Sequence, residues 1–320
     1  VLEETNCMQK DASILITGGS GFVGSHMLEY LLLQGYTNIT ITDRSNGEVP
    51  AGVRVEILDL TDAAATRTCF ETCKPDYILN LASVATVGNS FQKAESMMTI
   101  NSSLMLSVLE AMRAVTPNAR LLQVSSAAVY GLVSSDRAAA QNEETPLKPI
   151  NPYAVSKLTQ EFLASAYARS YSLDVVTVRP FNHTGERQTT AFALPAFAQQ
   201  IVAVERGEKE SLSVGNLTGI RDFTDVKDIV VAYEILFDKG VSGEVYNLGS
   251  AEGHSMQEML DLLLENSSVE VHLTEDPKLA RPLDIPVSIA DNGKITALGW
   301  APTHDLSETV QRILDWQRKQ

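Results

Sequence analysis

Positive charge is scarce in this chain. Lys and Arg number 25 against 40 Asp and Glu, for a formal net charge of −15. A field of that sign argues against nucleic acid or an anionic membrane as partner, because both need a basic surface. It also requires that any anionic ligand be met by locally placed Arg or Lys. Cysteine is scarcer still: Cys7, Cys69 and Cys73 are an odd set and build no disulfide framework. Cys69 and Cys73 stand four apart, a spacing that shares a helix face, but no His or third Cys lies nearby in sequence. Ordinary reduced thiols are expected there, and no metal site. No apolar run approaches the roughly 20 residues of a membrane span. The opening VLEETNCMQKDAS has neither a basic start nor an apolar run, so no secretory signal is read in it. A cytoplasmic setting is the expectation that fits these absences.

What is present is an ordinary globular composition, 44% apolar and 20% charged over 320 residues. That length holds one large domain or two modest ones. Apolar runs read as strands at Ser13–Thr17, Ile39–Thr42, Arg54–Ile57, Tyr77–Leu81, Leu121–Ser125, Val175–Arg179 and Val245–Leu248. Helical stretches such as Val23–Gln34, Asn101–Val115 and Pro152–Ser170 lie between them. Strict alternation of this kind predicts an α/β fold, a Rossmann-type doubly wound parallel sheet. After Arg179 the rhythm breaks into short strands and Pro-bounded loops, which predicts a smaller C-terminal lobe. The expected division is a dinucleotide-binding domain over 1–180, rejoined by 219–250, and a substrate lobe over 181–218 and 251–320.

The first strand runs into TGGSGFVGSH, which spaces Gly18, Gly21 and Gly24 as GxxGxxG. Strand, glycine-rich turn and helix together present backbone N–H groups and a helix N-terminus to a pyrophosphate. Asp43 ends the next strand, nineteen residues past Gly24, where a carboxylate can bond the adenosine ribose hydroxyls. That carboxylate repels the 2′-phosphate of NADP, whereas Arg44 beside it attracts one; NAD(H) is favoured and NADP(H) stays open. Asp59 is read near the adenine, with a helix N-cap as its compatible alternative. The full cofactor set is read as Gly18, Gly21, Phe22, Val23, Gly24, Asp43, Arg44, Asp59, Leu60, Leu81, Ala82, Tyr153 and Lys157.

Chemistry is carried by SSAAVYG at 125–131 and NPYAVSK at 151–157. Tyr153 and Lys157, four apart at a helix start, share one face. A free phenol titrates near 10, so an adjacent ammonium is expected to lower the Tyr153 pKa towards neutrality. Ser126 would bond the same substrate oxygen, to which Tyr153 gives or from which it takes a proton. With TGGSGFVG, these motifs resemble the extended short-chain dehydrogenase/reductases that act on nucleotide sugars. The stretches RPFNHTG, VGNLTGIRDFTDVKD and RPLDIP…LGW resemble, more narrowly, the GDP-mannose 4,6-dehydratase and GDP-4-keto-6-deoxymannose reductase branch. The resemblance implies Asn182 on the sugar nucleotide and Arg221 and Arg281 on its diphosphate. Arg187 is a further phosphate candidate, and Thr86 a candidate for the sugar. His183 reads equally as a general base or a hydrogen-bonded structural group. The resemblance also implies a dimer made by pairing the helices around Asn101–Val115 and Pro152–Ser170. Leu104, Met105, Val108, Leu109, Phe162, Leu163 and Tyr167 are expected to exceed what one sheet face covers.

In the dehydratases of this branch, a carboxylate just after the catalytic Ser or Thr serves the elimination step. Here those positions are Ala127 and Ala128, and a methyl group moves no proton. Reduction of a ketone needs only Ser126, Tyr153, Lys157 and a nicotinamide. The reading is therefore a reductase of a GDP-linked 4-keto-6-deoxyhexose. A 4-epimerase, a dehydratase with a carboxylate from elsewhere, and a non-catalytic dinucleotide sensor are the alternatives.

Overall fold

The computed structural model describes residues 8–45, 49–85, 90–132, 140–279 and 285–320. Thr86 and Arg281 lie outside the described residues. The first half lays down β1 (Ile14–Thr17), α1 (Phe22–Leu33), β2 (Ile39–Asp43), β3 (Arg54–Ile57), α2 (Ala63–Cys73), β4 (Tyr77–Asn80), α3 (Ala94–Val115) and β5 (Arg120–Val124). Then follow a 3₁₀ turn (Ala127–Tyr130), α4 (Pro152–Tyr171) and β6 (Asp174–Pro180). The second half contains β7 (Asn182–Thr184), α5 (Ala193–Glu205), β8 (Ser211–Val214), β9 (Ile220–Asp225), α6 (Val226–Lys239) and β10 (Val245–Leu248). It ends with β11 (Gly253–Ser255), α7 (Met256–Glu265), β12 (His272–Glu275), β13 (Val287–Ser288), α8 (Gly293–Thr296) and α9 (Leu306–Arg318).

Seven strands form one parallel sheet in the order β10-β6-β5-β4-β1-β2-β3. These are the seven runs expected from the sequence, with ends that agree to within a residue. Parallel strands need crossovers, and the helices that supply them cover both faces. The side chains of α1 and α6 close one face over Ile14, Ile16, Leu122, Val176 and Val178. Those of α2, α3 and α4 close the other over Leu15, Ile78, Leu121 and Val175. Strand order reverses between β1 and β4, which opens a crevice at their C-terminal ends. A third core, built by α5, α7, α9, β8 and β9, makes a lobe beside that edge.

Two helix readings change. Helix α3 starts at Ala94, about two turns before Asn101. Asn101 is a buried residue inside the helix: its amide bonds Val84 N (2.8 Å), Val84 O (3.3 Å) and Ser156 Oγ (2.9 Å). Leu104, Met105, Val108 and Leu109 belong to the chain's own core and are not spare apolar surface. Leu163 and Tyr167 pack partly against the same core, so of the expected set Phe162 alone stands well exposed, at 58%.

A polar row crosses the sheet at its centre. Thr17, Asn80 and Gln123 are register neighbours on β1, β4 and β5 and are all buried. Thr17 Oγ1 donates to Asn80 Oδ1 (2.7 Å), and Asn80 Nδ2 donates to Gln123 Oε1 (2.7 Å). Truncating the middle member leaves two buried partners unsatisfied. Asn80→Ala is expected to lower the unfolding free energy by about 2–3 kcal/mol, measured by urea denaturation; a loss below about 0.5 kcal/mol would mean that the row bears no load.

Candidate active site

At the cofactor end the glycines have distinct tasks. Gly18 turns the chain out of β1 at φ +67°, and a Cβ there would sit 3.3 Å from the Ala82 backbone. That close approach joins the ends of β1 and β4 at the crevice, where Ala82 N also donates to Thr17 Oγ1 (3.1 Å). A Cβ on Gly24 would lie 2.5 Å from Gly19 O, so the third glycine is what lets α1 pack against the turn. Helix α1 begins after Gly21 with no side-chain cap, leaving its first-turn amides for an anion. Asp43 accepts from Ser20 Oγ and from Arg44 N (2.6 Å), and so is held at the end of β2. Leu60 is buried beneath α2, while Leu81 packs partly buried beside the sheet core. A turn this tight, an uncapped helix start and a pinned carboxylate fit a dinucleotide.

Asp59 does not cap α2. Its carboxylate closes a turn on Thr61 (N at 2.9 Å, Oγ1 at 2.8 Å), and those bonds hold its pKa below the usual carboxylate range. The cap is Asp62, which accepts from Ala64 N and Ala65 N, both at 3.0 Å. Asp62 stands three positions after Asp59, and only the backbone direction decides which of the two caps the helix.

At the chemical end β5 stops at Val124, and Ser126 caps the 3₁₀ turn by accepting from Ala128 N (3.2 Å). Helix α4 starts with Pro152 in its first turn and Asn151 as cap (Ala154 N to Oδ1, 2.9 Å). Tyr153 and Lys157 lie one turn apart on it, and the Ser126 hydroxyl acts on the Tyr153 phenol as a group that lowers its pKa. Ala127 and Ala128 follow, so this turn presents methyl groups where a carboxylate would be needed.

The expected lowering of the Tyr153 pKa is not found. Burial pushes it above that of a free phenol, and the Ser126 bond pulls it only part of the way back. The phenol's own burial is the cause, and Lys157 beside it is itself only 4% exposed. Burial brings its ammonium down to about 7, opposed by the Glu161 carboxylate one turn on.

Among the substrate candidates, Asn182 is exposed on β7, which pairs with β9 beside Arg221. Arg221 is half-buried and donates NH1 to Ile220 O (2.8 Å). Arg187 sits against α1 instead: it forks onto Glu29 (2.8 and 2.7 Å) and reaches His26 Nδ1 (3.0 Å). His183 bonds Phe181 O through Nδ1 (3.0 Å) and stacks on Phe22, and burial holds its pKa below the ordinary value. That is the environment of a hydrogen-bonded structural group. Sequence reading missed Ser20, Asn101 and the buried Arg179–Glu161 pair. The signal for the last two was available, as polar residues inside apolar runs (TINSSLML and VVTVRP). Cys69 and Cys73 are free and buried on α2, and no cluster of His, Cys, Asp or Glu suited to a metal occurs among the described residues.

The sequence profile of the GDP-mannose 4,6 dehydratase family matches residues 15–313. The chain belongs to that family. It is 30% identical to a GDP-6-deoxy-D-mannose reductase of Pseudomonas aeruginosa, over 96% of this chain and 97% of that protein. It is 29% identical to a GDP-6-deoxy-D-talose 4-dehydrogenase of Aggregatibacter actinomycetemcomitans, over 88% and 89% of the two chains. Among solved structures it resembles a Pseudomonas aeruginosa protein designated RMD, complexed with NADPH (TM-score 0.84, 28% identity, 96% and 99% covered). It also resembles a Thermus thermophilus UDP-glucose 4-epimerase with NAD (TM-score 0.86, 28% identity, 96% and 99% covered). Family membership thus agrees with the cleft at the β1/β4 reversal and with the resemblance read from the motifs.

Burying Lys157 costs stability. Its folded pKa lies below the unfolded value, so the penalty is full below about 7 and fades as pH rises from there towards about 10.4. Lys157→Met is expected to melt at a higher temperature than wild type at pH 6, with the gap closing towards pH 10. Melting curves across that range test it; a variant less stable than wild type at pH 6 contradicts it.

Proposed function

We propose that this family member is an NAD(P)H-dependent reductase of a nucleotide-linked, GDP-type, 4-keto-6-deoxyhexose, acting at C4. The observation that carries the reading is the Ser126 turn, in which the two residues after the serine are alanines. Likeness to a GDP-6-deoxy-D-mannose reductase supports the same reaction.

When bound, the nicotinamide supplies hydride to the ketone carbon. The chain's own residues do the rest. Ser126 and Tyr153 hold the ketone oxygen, and Tyr153 gives it a proton as charge builds there. Lys157 stabilises the phenolate left behind. Asn182 orients the sugar, while Arg221 and Arg281 take the diphosphate, which a chain of net charge −15 must hold by local guanidinium groups. Asp43, braced by Ser20, favours NADH over NADPH at the ribose.

Two lobes divide this work: a dinucleotide domain over 1–180 rejoined by 219–250, and a nucleotide-sugar lobe over 181–218 and 251–320. The protein works in the cytoplasm as a homodimer, through a four-helix bundle of α3 and α4 from each copy. Leu106, Val155 and Phe162, exposed on these helices, supply its apolar contacts. No described helix is long and apolar enough to cross a membrane.

The pre-formed 4-keto sugar nucleotide is expected to consume NADH stoichiometrically, and Tyr153→Phe to lose at least about 10²-fold in rate. GDP-mannose with enzyme and NAD alone should yield no 4-keto-6-deoxy product. Such a product by NMR points to a dehydratase, and interconversion of C4 epimers without net NADH change to an epimerase. Light scattering at micromolar concentration should give the mass of two chains, and a monomer would remove the bundle.

A further inference from the structure

One charged pair buried beside the catalytic helix has no part in the chemistry above. Arg179 on β6 and Glu161 on α4 are 4% and 3% exposed. Nε (3.2 Å) and NH2 of Arg179 fork onto the two Glu161 carboxylate oxygens. Its remaining nitrogen, NH1, donates to the Tyr130 hydroxyl (3.0 Å) and to Glu143 O (3.2 Å). Tyr130 closes the 3₁₀ turn that Ser126 opens, and its own hydroxyl donates to Asn247 Oδ1 on β10 (2.6 Å). Glu161 follows Lys157 by one helical turn, so the two share a face.

Burying two charges costs more than most ion pairs return, and an apolar pair of similar volume would often serve stability as well. A pair kept here therefore points to a task that apolar residues cannot perform. We infer that Arg179 is a positioning residue for the catalytic set. It ties the serine-bearing turn to helix α4 through Tyr130 and Glu161, and it withholds the Glu161 carboxylate from the Lys157 ammonium. The inference rests on the functional reading above for what the positioned residues do.

Guanidinium does not deprotonate in proteins, so the offset to Glu161 is permanent across the working pH range. Glu161 is the charge that acts to keep Lys157 protonated. With its oxygens forked by Arg179, it opposes the desolvation of Lys157 only in part. The other titratable or charged groups around the pair are Tyr153 on α4, Tyr130 on the turn, Glu143 in the following segment and Tyr233 on α6. Phenols are neutral near pH 7, and the Glu143 carboxylate is taken up by Asn247 N (2.7 Å). The amine of Lys157 should therefore respond to this pair before any other neighbour.

The test is an NMR titration of the full chain with lysine labelled at the ε-carbon, the Lys157 signal being assigned by its loss in Lys157→Met. Glu161→Gln removes the carboxylate and leaves the guanidinium, so the amine should titrate about one pH unit lower or more. Arg179→Gln exposes the carboxylate, so it should titrate higher by a similar amount. The double variant Glu161→Gln/Arg179→Gln removes both charges and should bring the amine back from the Glu161→Gln value towards wild type, and it keeps the test alive if Arg179→Gln does not fold. In that case Glu161→Gln shifts the amine down and the double variant restores it. A titration unmoved by Glu161→Gln, or one that the double variant fails to restore, overturns the inference. The double variant should also reduce the 4-keto sugar at least about tenfold more slowly, with KM for the sugar nucleotide little changed; a wild-type kcat overturns the positioning role. If wild type reduces no such sugar, the functional reading falls, whereas the amine titration still reports on the pair.

Discussion

Three polar side chains strung through the middle of an apolar sheet set the floor of the cleft. Thr17, Asn80 and Gln123 stand in one register row on β1, β4 and β5. A buried polar group is stabilising only while its partner is present. Each bond in the row therefore also specifies register, since a one-residue slip would turn the row to the other face. The row ends beside the point where strand order reverses. Thr17 Oγ1 receives Ala82 N there, and Gly18, at a positive φ, approaches the Ala82 backbone so closely that a Cβ would be tight. The glycine-rich turn and the serine-bearing turn both hang from strand ends that this row holds level.

Burial does opposite things at the two ends of the site. At the cofactor end it is avoided: α1 begins without a side-chain cap, and Asp43 stays partly exposed, so the polar groups face outward for a ligand. At the chemical end it is imposed. Lys157 is stripped of water and its ammonium is destabilised, while Tyr153 is held protonated. A phenol that keeps its proton is a donor in waiting, which suits reduction. A lysine poised near neutrality responds to small changes in charge around it, whereas an exposed one would be screened.

The fold was legible because its signals are local. Seven apolar runs separated by helical stretches, with glycine at the first turn, determine a parallel sheet almost by length and alternation alone. Helix α3 was read short because Asn101 looks like a boundary residue, and only packing against Val84 and Ser156 explains an asparagine inside a helix. Asp59 and Asp62 are indistinguishable as caps until the backbone direction is known. The apolar residues of α3 were assigned outward because periodicity marks a face and not what lies against it. At the site, Ser126, Tyr153 and Lys157 could be named from spacing. Arg179 is marked by its place in an apolar run, but its pairing with Glu161 is not, because that is a contact between residues eighteen apart on different elements. The Tyr153 shift runs opposite to the expected direction for a related reason: the burial of the phenol itself decides it, and spacing does not reveal burial.

Strand β10 joins the sheet last, beside β6, after the chain has left the sheet and built α5, β8, β9 and α6. Closing so long an excursion is entropically costly only as the logarithm of its length, and non-local pairings of this kind are slow to form. Asn247, which receives the Tyr130 hydroxyl, arrives with that strand. During synthesis, the glycine-rich turn, the serine and the tyrosine all emerge from the ribosome well before the residue that locks their turn. The serine-bearing turn is thus locked from the far end of the sheet, by the strand that comes last in the chain among its seven.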